Sequence, residues 1–162
     1  MTNLVLALAC ALGLPLSAHS VSVAVLDAAG ILRRGDTGSA IRSLSQASDQ
    51  LGEIPEKPES IPLLRGIADK FKSLGARSSA VPVLPRRISI AEKVDPDSVN
   101  SLLTEFGNTE GEIEDYAAAK ITFETLLSKI SPENSLGRAT VYIRLLKAAV
   151  RDQTTPLKSG VW

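Results

Sequence analysis

The chain carries one cysteine, Cys10, and one histidine, His19, and both fall within its first twenty residues. Everything after them must do chemistry with carboxylates, amines, guanidinia, hydroxyls and amides. A Cys/His zinc site needs several soft ligands. A Ser-His-Asp or Cys-His nucleophile needs an imidazole as base. Neither is available beyond residue 20. The carboxylates fall in two groups. Glu110, Glu112, Glu114 and Asp115 are close in sequence, yet they lack the alternating acidic order and glycine of a calcium loop, and they read as a solvated turn. Glu53, Glu56 and Glu59 interleave with Pro55, Pro58 and Pro62, the composition of a stiff exposed loop. Gly30, Gly35 and Gly38 carry no phosphate-loop lysine. The sequence therefore predicts no catalytic, cofactor-binding or metal site, and a protein that is not an enzyme.

Charge adds a further exclusion. Eighteen basic and eighteen acidic side chains give a formal net charge of zero, whereas nucleic-acid binders usually neutralise several phosphates with a basic face. Arg33-Arg34 and Arg86-Arg87 read as solvated helix ends. No nucleic-acid partner is expected.

The first twenty residues differ in kind from the rest. Leu4 to Leu16 is almost wholly apolar, and nothing before Asp27 is charged. This run is too short for a helix crossing a bilayer core of about 30 Å, so no stable membrane span is expected. Followed by Ala18-His19-Ser20, it fits a secretory signal peptide cleaved before Val21, without the usual basic residue ahead of the apolar run. Export, to the periplasm or outside the cell, follows from that reading. A buried first helix of the domain is the alternative, which would leave the protein cytoplasmic. A lipoprotein anchor through Cys10 fits less well, because Ala7-Leu8-Ala9 is a poor lipobox.

From Val21 to about Gln153 the sequence repeats with a period near forty. Ala40, Ala80 and Ala119 are spaced 40 and 39 apart, and each is followed four residues later by a large apolar residue, Leu44, Leu84 or Phe123. Gly35, Gly75 and Glu114 open the three segments. Leu64, Ile67, Ala68 and Phe71 share one face of a helix and recur as Leu103, Phe106, Gly107 and Glu110. Gly75 ends the first of these helices. A second helix follows each turn, stopped by Pro96 or Pro132. Ile143, Leu146 and Val150 mark a final helix. Repeats of this size arise when one helical hairpin cannot bury its apolar face alone and stacks on its neighbours. An irregular helical bundle with accidental periodicity is the competing reading.

Leu64-x-x-Ile67-Ala68-x-x-Phe71, Leu103-x-x-Phe106-Gly107, Gly35-Asp36-Thr37-x-x-Ala40-Ile41-x-x-Leu44 and Asp115-Tyr116-x-x-Ala119-x-x-x-Phe123 together resemble the tetratricopeptide repeat. Ile90-x-Glu92-Lys93 followed by Pro96-Asp97-Ser98-Val99, with Pro82 upstream, is similar to the long-period kind found in kinesin light chains. The resemblance implies an all-α solenoid of about three and a half hairpins over residues 21–153, with a capping terminal helix and a tail at 154–162. It also implies a concave groove that binds another protein or peptide segment and needs no cofactor. In that register Arg65, Asp69, Lys72, Thr104 and Asn108 face the groove, and Val25, Ala29 and Leu32 form an apolar end. These positions do not match the lysine–asparagine clamp of some family members.

Three departures carry expectations of their own. Asp27 stands where a core leucine belongs. Pro85 lies inside the second helix of its unit, which should therefore start late, near Val83. Asn108, Glu110 and Gly111 weaken the first helix of the third unit. The resulting function is an adaptor or scaffold for a partner polypeptide. The alternative is a regulatory module or fragment of a larger enzyme or signalling system.

Overall fold

In the computed structural model the described residues are 33–49 and 56–154, together with Val23, Asp27, Gly30 and Ile31. The expected signal peptide, Val25, Ala29 and Leu32 lie outside them. Every regular element among the described residues is helical. The chain forms two compact units, one reaching Pro96 and one beginning at Asp97.

The first unit contains α1 (Thr37–Asp49), α2 (Ser60–Ser73), the single turn α3 (Arg77–Ala80) and α4 (Val83–Val94). Helix α2 packs against α1, α3 and α4. Its apolar face is the one read from the sequence: Leu64, Ile67, Ala68 and Phe71 are fully buried. Ala40, Leu44, Ala80 and Leu84 are buried as well, which places the repeated alanine and its i+4 partner in the core. Asp27 is helical and exposed, in keeping with a charge at a position that otherwise wants leucine.

Proline sets the start of α4. Pro85 is its third residue, and the first amides of a helix have no intrahelical acceptor, so a missing N–H costs nothing there. The chain instead makes the short α3, breaks at Val81-Pro82, and resumes at Val83. Pro96 disfavours helical backbone at the preceding Asp95, which has φ −152° and ψ 68°. Arg86-Arg87 is not a solvated helix end. Arg87 is buried within α4, and Arg86 donates to Glu56 at 3.3 Å. Glu56 also pairs with Lys93 at 2.5 Å, which ties the proline-rich loop to α4. The Lys93 hydrogen bond is the main cause that lowers the Glu56 carboxyl below its ordinary range.

The second unit opens from a 3-10 turn, Pro96–Ser98, and contains α5 (Val99–Glu112), α6 (Tyr116–Lys129) and α7 (Ser135–Thr154). Helix α6 packs on both α5 and α7. Ala119, Phe123 and Leu126 line its buried face. The α5–α6 contact is close because Gly107 has no side chain: a Cβ there would lie 2.7 Å from the Phe123 ring.

One turn chemistry recurs at all three repeat junctions. Gly35, Gly75 and Glu114 adopt positive φ of 82°, 73° and 64°. The next amide then reaches back to the carbonyl five residues earlier: Asp36 to Ile31, Ala76 to Phe71 and Asp115 to Glu110, at 3.4, 2.9 and 3.0 Å. This satisfies carbonyls left open at a helix end. The residue after the turn starts the next helix. Asp36 accepts from the Ser39 amide at 2.9 Å and Asp115 from the Ala118 amide at 3.1 Å. Ala76, at the equivalent place, offers no side-chain cap.

Candidate binding cleft

The second unit holds a cleft of about 740 Å³. Its position follows from residue size. A Cβ at Gly111 of α5 would have nothing within 4 Å, and the small Ala119 and Ala148 line the cleft from α6 and α7, so the helices leave a trough there, while the Phe123 ring fills the space beside Gly107. Phe123 supplies an apolar floor, and Tyr116 and Asn108 supply polar walls.

Helix α7 contributes the charge. Arg144, Lys147 and Arg151 all line the cleft, at i, i+3 and i+7 on one helix face. Arg144 donates to Asn108 Oδ1 at 2.5 Å, which ties α7 to α5. Arg151 donates to the Tyr116 hydroxyl at 3.2 Å, and its guanidinium carbon lies 5.8 Å from the Tyr116 ring centroid, within cation–π range. The Tyr116 hydrogen bond is the leading cause that raises the Arg151 pKa further. Glu112 and Glu114 also line the cleft, and the Glu114 carboxylate acts electrostatically on Arg151, so the lining carries both signs of charge. A third arginine of α7 is committed elsewhere: Arg138 donates to the Leu127 and Ile130 carbonyls, both at 3.2 Å. There it neutralises the negative end of α6.

Of the five residues assigned to a groove from sequence, Asn108 lines this cleft. Thr104 is half-buried and donates to the Asn100 carbonyl at 2.9 Å, a bond within its own helix. Arg65, Asp69 and Lys72 lie on α2 of the other unit. Arg65 and Asp69 form an exposed i, i+4 pair at 3.6 Å, and Lys72 is half-buried. The basic row of α7 was not foreseen, although its spacing in the sequence was a sufficient signal.

The acidic cluster divides. Glu112, Glu114 and Asp115 are exposed, as a solvated turn requires. Glu110 is not part of that turn: it is 5 % exposed and occupies the core position that Phe71 holds in α2. Its Oε2 has no hydrogen-bond partner. Burial is the main cause that raises its carboxyl above the ordinary range, opposed by a hydrogen bond with Thr122. No group of three or more His, Cys, Asp or Glu side chains among the described residues is arranged to hold a metal ion. No helix among them is long and apolar enough to cross a membrane. No family model matches the chain, and no match is found among curated proteins.

Proposed function

We propose that this protein is an interaction module of the tetratricopeptide type, an adaptor that holds a segment of a partner polypeptide in the α5–α7 cleft. The observation that carries this reading is the cleft itself. It is open and lined by three helices, with guanidinium and ammonium groups from α7, glycine backbone from α5 and an aromatic floor from α6, and Glu112 and Glu114 also in the lining. Such a surface suits an extended or helical chain segment bearing a carboxylate. A carboxylate would accept charge-assisted hydrogen bonds from Arg144 or Arg151, and its aliphatic part would cover Phe123. The recurring junctions at Gly35, Gly75 and Glu114 support stacked hairpins of a solenoid. Leu4 to Leu16 supports export.

The test is a peptide display selection on the full chain, followed by fluorescence anisotropy on selected peptides. Acidic peptides should be enriched, and Lys147→Glu with Arg151→Glu should weaken them at least tenfold, less so at high salt. The pair Arg65→Glu with Lys72→Glu serves as the comparison. Selected peptides that bind the Lys147/Arg151 variant unchanged, but lose the Arg65/Lys72 variant, would move the site to α2 and sink the cleft assignment.

A further inference from the structure

Helix α7 has a second, apolar face that meets the cleft only at its edge, through Ile143. Val141 and Ala148 are its buried residues. The helix turns about 100° per residue, so Leu136, Ala139, Ile143, Leu146 and Val150 fall about 180° away from that buried side. Leu136 is 78 % exposed, Ile143 56 %, Leu146 65 % and Val150 51 %. Ala139 is exposed too. The sequence pattern led to the expectation that Ile143, Leu146 and Val150 cover the preceding repeat; the structure turns them outward, and the small residues pack inward instead.

The spacing of these five residues is 3-4-3-4, the a and d positions of successive heptads. Their arc is only about 80° wide, narrower than the arc of roughly 100° or more by which a helix faces a broad core. An arc that narrow is filled by one further helix with the same heptad pattern, and α7 is itself such a helix. We infer that this face is a self-association seam, along which α7 pairs antiparallel with α7 of a second copy of the chain about a two-fold axis.

Charge favours the same occupant. The seam positions carry no ionisable group. Arg138, Arg144 and Arg151 are turned to their own unit through the α6 carbonyls, Asn108 and Tyr116. Lys147 is the one charged residue flanking the seam. In an antiparallel register that sets Ile143 against Leu146 of the second copy, and Ala139 against Val150, Lys147 meets Thr140 of the second copy instead of another lysine. Antiparallel helices also oppose their dipoles favourably. An interface centred on two symmetric helices is isologous and closes at two copies. Five seam positions per copy are few beside the roughly 20–30 residues a side of a standard interface, so the dimer should be weak.

The seam borders the cleft at Ile143, Thr140 and Lys147, but its test needs no cleft ligand: sedimentation velocity on the full chain from about 5 to 500 μM. A monomer–dimer equilibrium should appear, and Leu146→Glu should weaken it at least tenfold while leaving the helical circular-dichroism signal unchanged. Orientation is read by cross-linking in a Cys10→Ser background, with copper phenanthroline as oxidant. Ala139→Cys chains should couple to Val150→Cys chains and not to themselves. A chain that stays monomeric at the highest concentration overturns the seam. So does a dimer indifferent to Leu146→Glu, since the apolar N-terminal run would then be its cause. Loss of helicity in Leu146→Glu would make the face part of the core, and homotypic coupling of Val150→Cys would overturn the antiparallel pairing.

Discussion

Replacing Glu114 by glycine isolates the energetics of the repeated turn. Glu114 is the one non-glycine residue with positive φ among the described residues, and at 64° its Cβ crowds the following carbonyl at a cost of about 1–2 kcal/mol. Glycine removes that cost but brings a more flexible unfolded chain, worth roughly 0.5–1 kcal/mol in the other direction. Glu114→Gly should therefore stabilise the second unit by about 0.5–1 kcal/mol. With an m-value of about 2 kcal/mol/M, this is a rise of about 0.3–0.5 M in urea midpoint. Two controls separate backbone from charge. Glu114→Ala deletes the carboxylate that faces Arg151 but keeps the strained φ, so it should change the midpoint little. Gly75→Ala imposes a Cβ where nothing else lies within 4 Å, so its destabilisation of about 1 kcal/mol reports conformation alone. Urea unfolding followed at 222 nm, with hydrogen exchange assigning the change to α5 and α6, is the assay. Equal midpoints for Glu114→Gly and Glu114→Ala would refute the reasoning.

Three further outcomes follow from the same structure. Gly107→Ala should destabilise by about 1–3 kcal/mol, despite the better helix propensity of alanine, because its Cβ would sit 2.7 Å from the Phe123 ring; thermal unfolding should show Phe123→Leu rescuing part of the loss. Ala76→Asp supplies the cap that Asp36 and Asp115 give their helices and should raise the melting temperature, by about 0.5–1 kcal/mol of stability. Burial raises the Glu110 carboxyl in the folded state, so its contribution is fully present below the ordinary glutamate range and is lost as pH rises through the raised folded value. Urea midpoints of the wild type should therefore fall from mildly acid to neutral pH more steeply than those of Glu110→Gln, which keeps an acceptor for Thr122 without a buried charge; parallel pH profiles would show that Glu110 ionises freely.

Legibility in the sequence tracked how local the determining physics was. The core alanines at 40, 80 and 119, the α2 face and the late start of α4 were all readable, because helix periodicity and proline stereochemistry act over one or two turns. Glu110 and Arg87 were misjudged because charge normally marks solvent. The repeat register itself had aligned Glu110 with Phe71, and the register was the better guide. Helix α7 was misjudged for a different reason. Its largest apolar residues suggested one face, while contact with α6 selected the smaller Val141 and Ala148 on the other. The α7 basic row and the glycine trough of α5 form a cleft only when three helices assemble, and no single segment displays it.

The back-to-back stop and start at each junction also bears on how fast the chain folds. Helix α5 ends in the same turn that launches α6, and α6 in turn packs on α7, so most helix–helix contacts of this unit join consecutive helices. Loops closing such contacts are short, their closure entropy is small, and low contact order of this kind goes with folding in microseconds to milliseconds. The left-handed residue sits within the loop that any α5–α6 nucleus must close first. Relieving Glu114 should then appear mainly as faster folding, with the unfolding rate little altered.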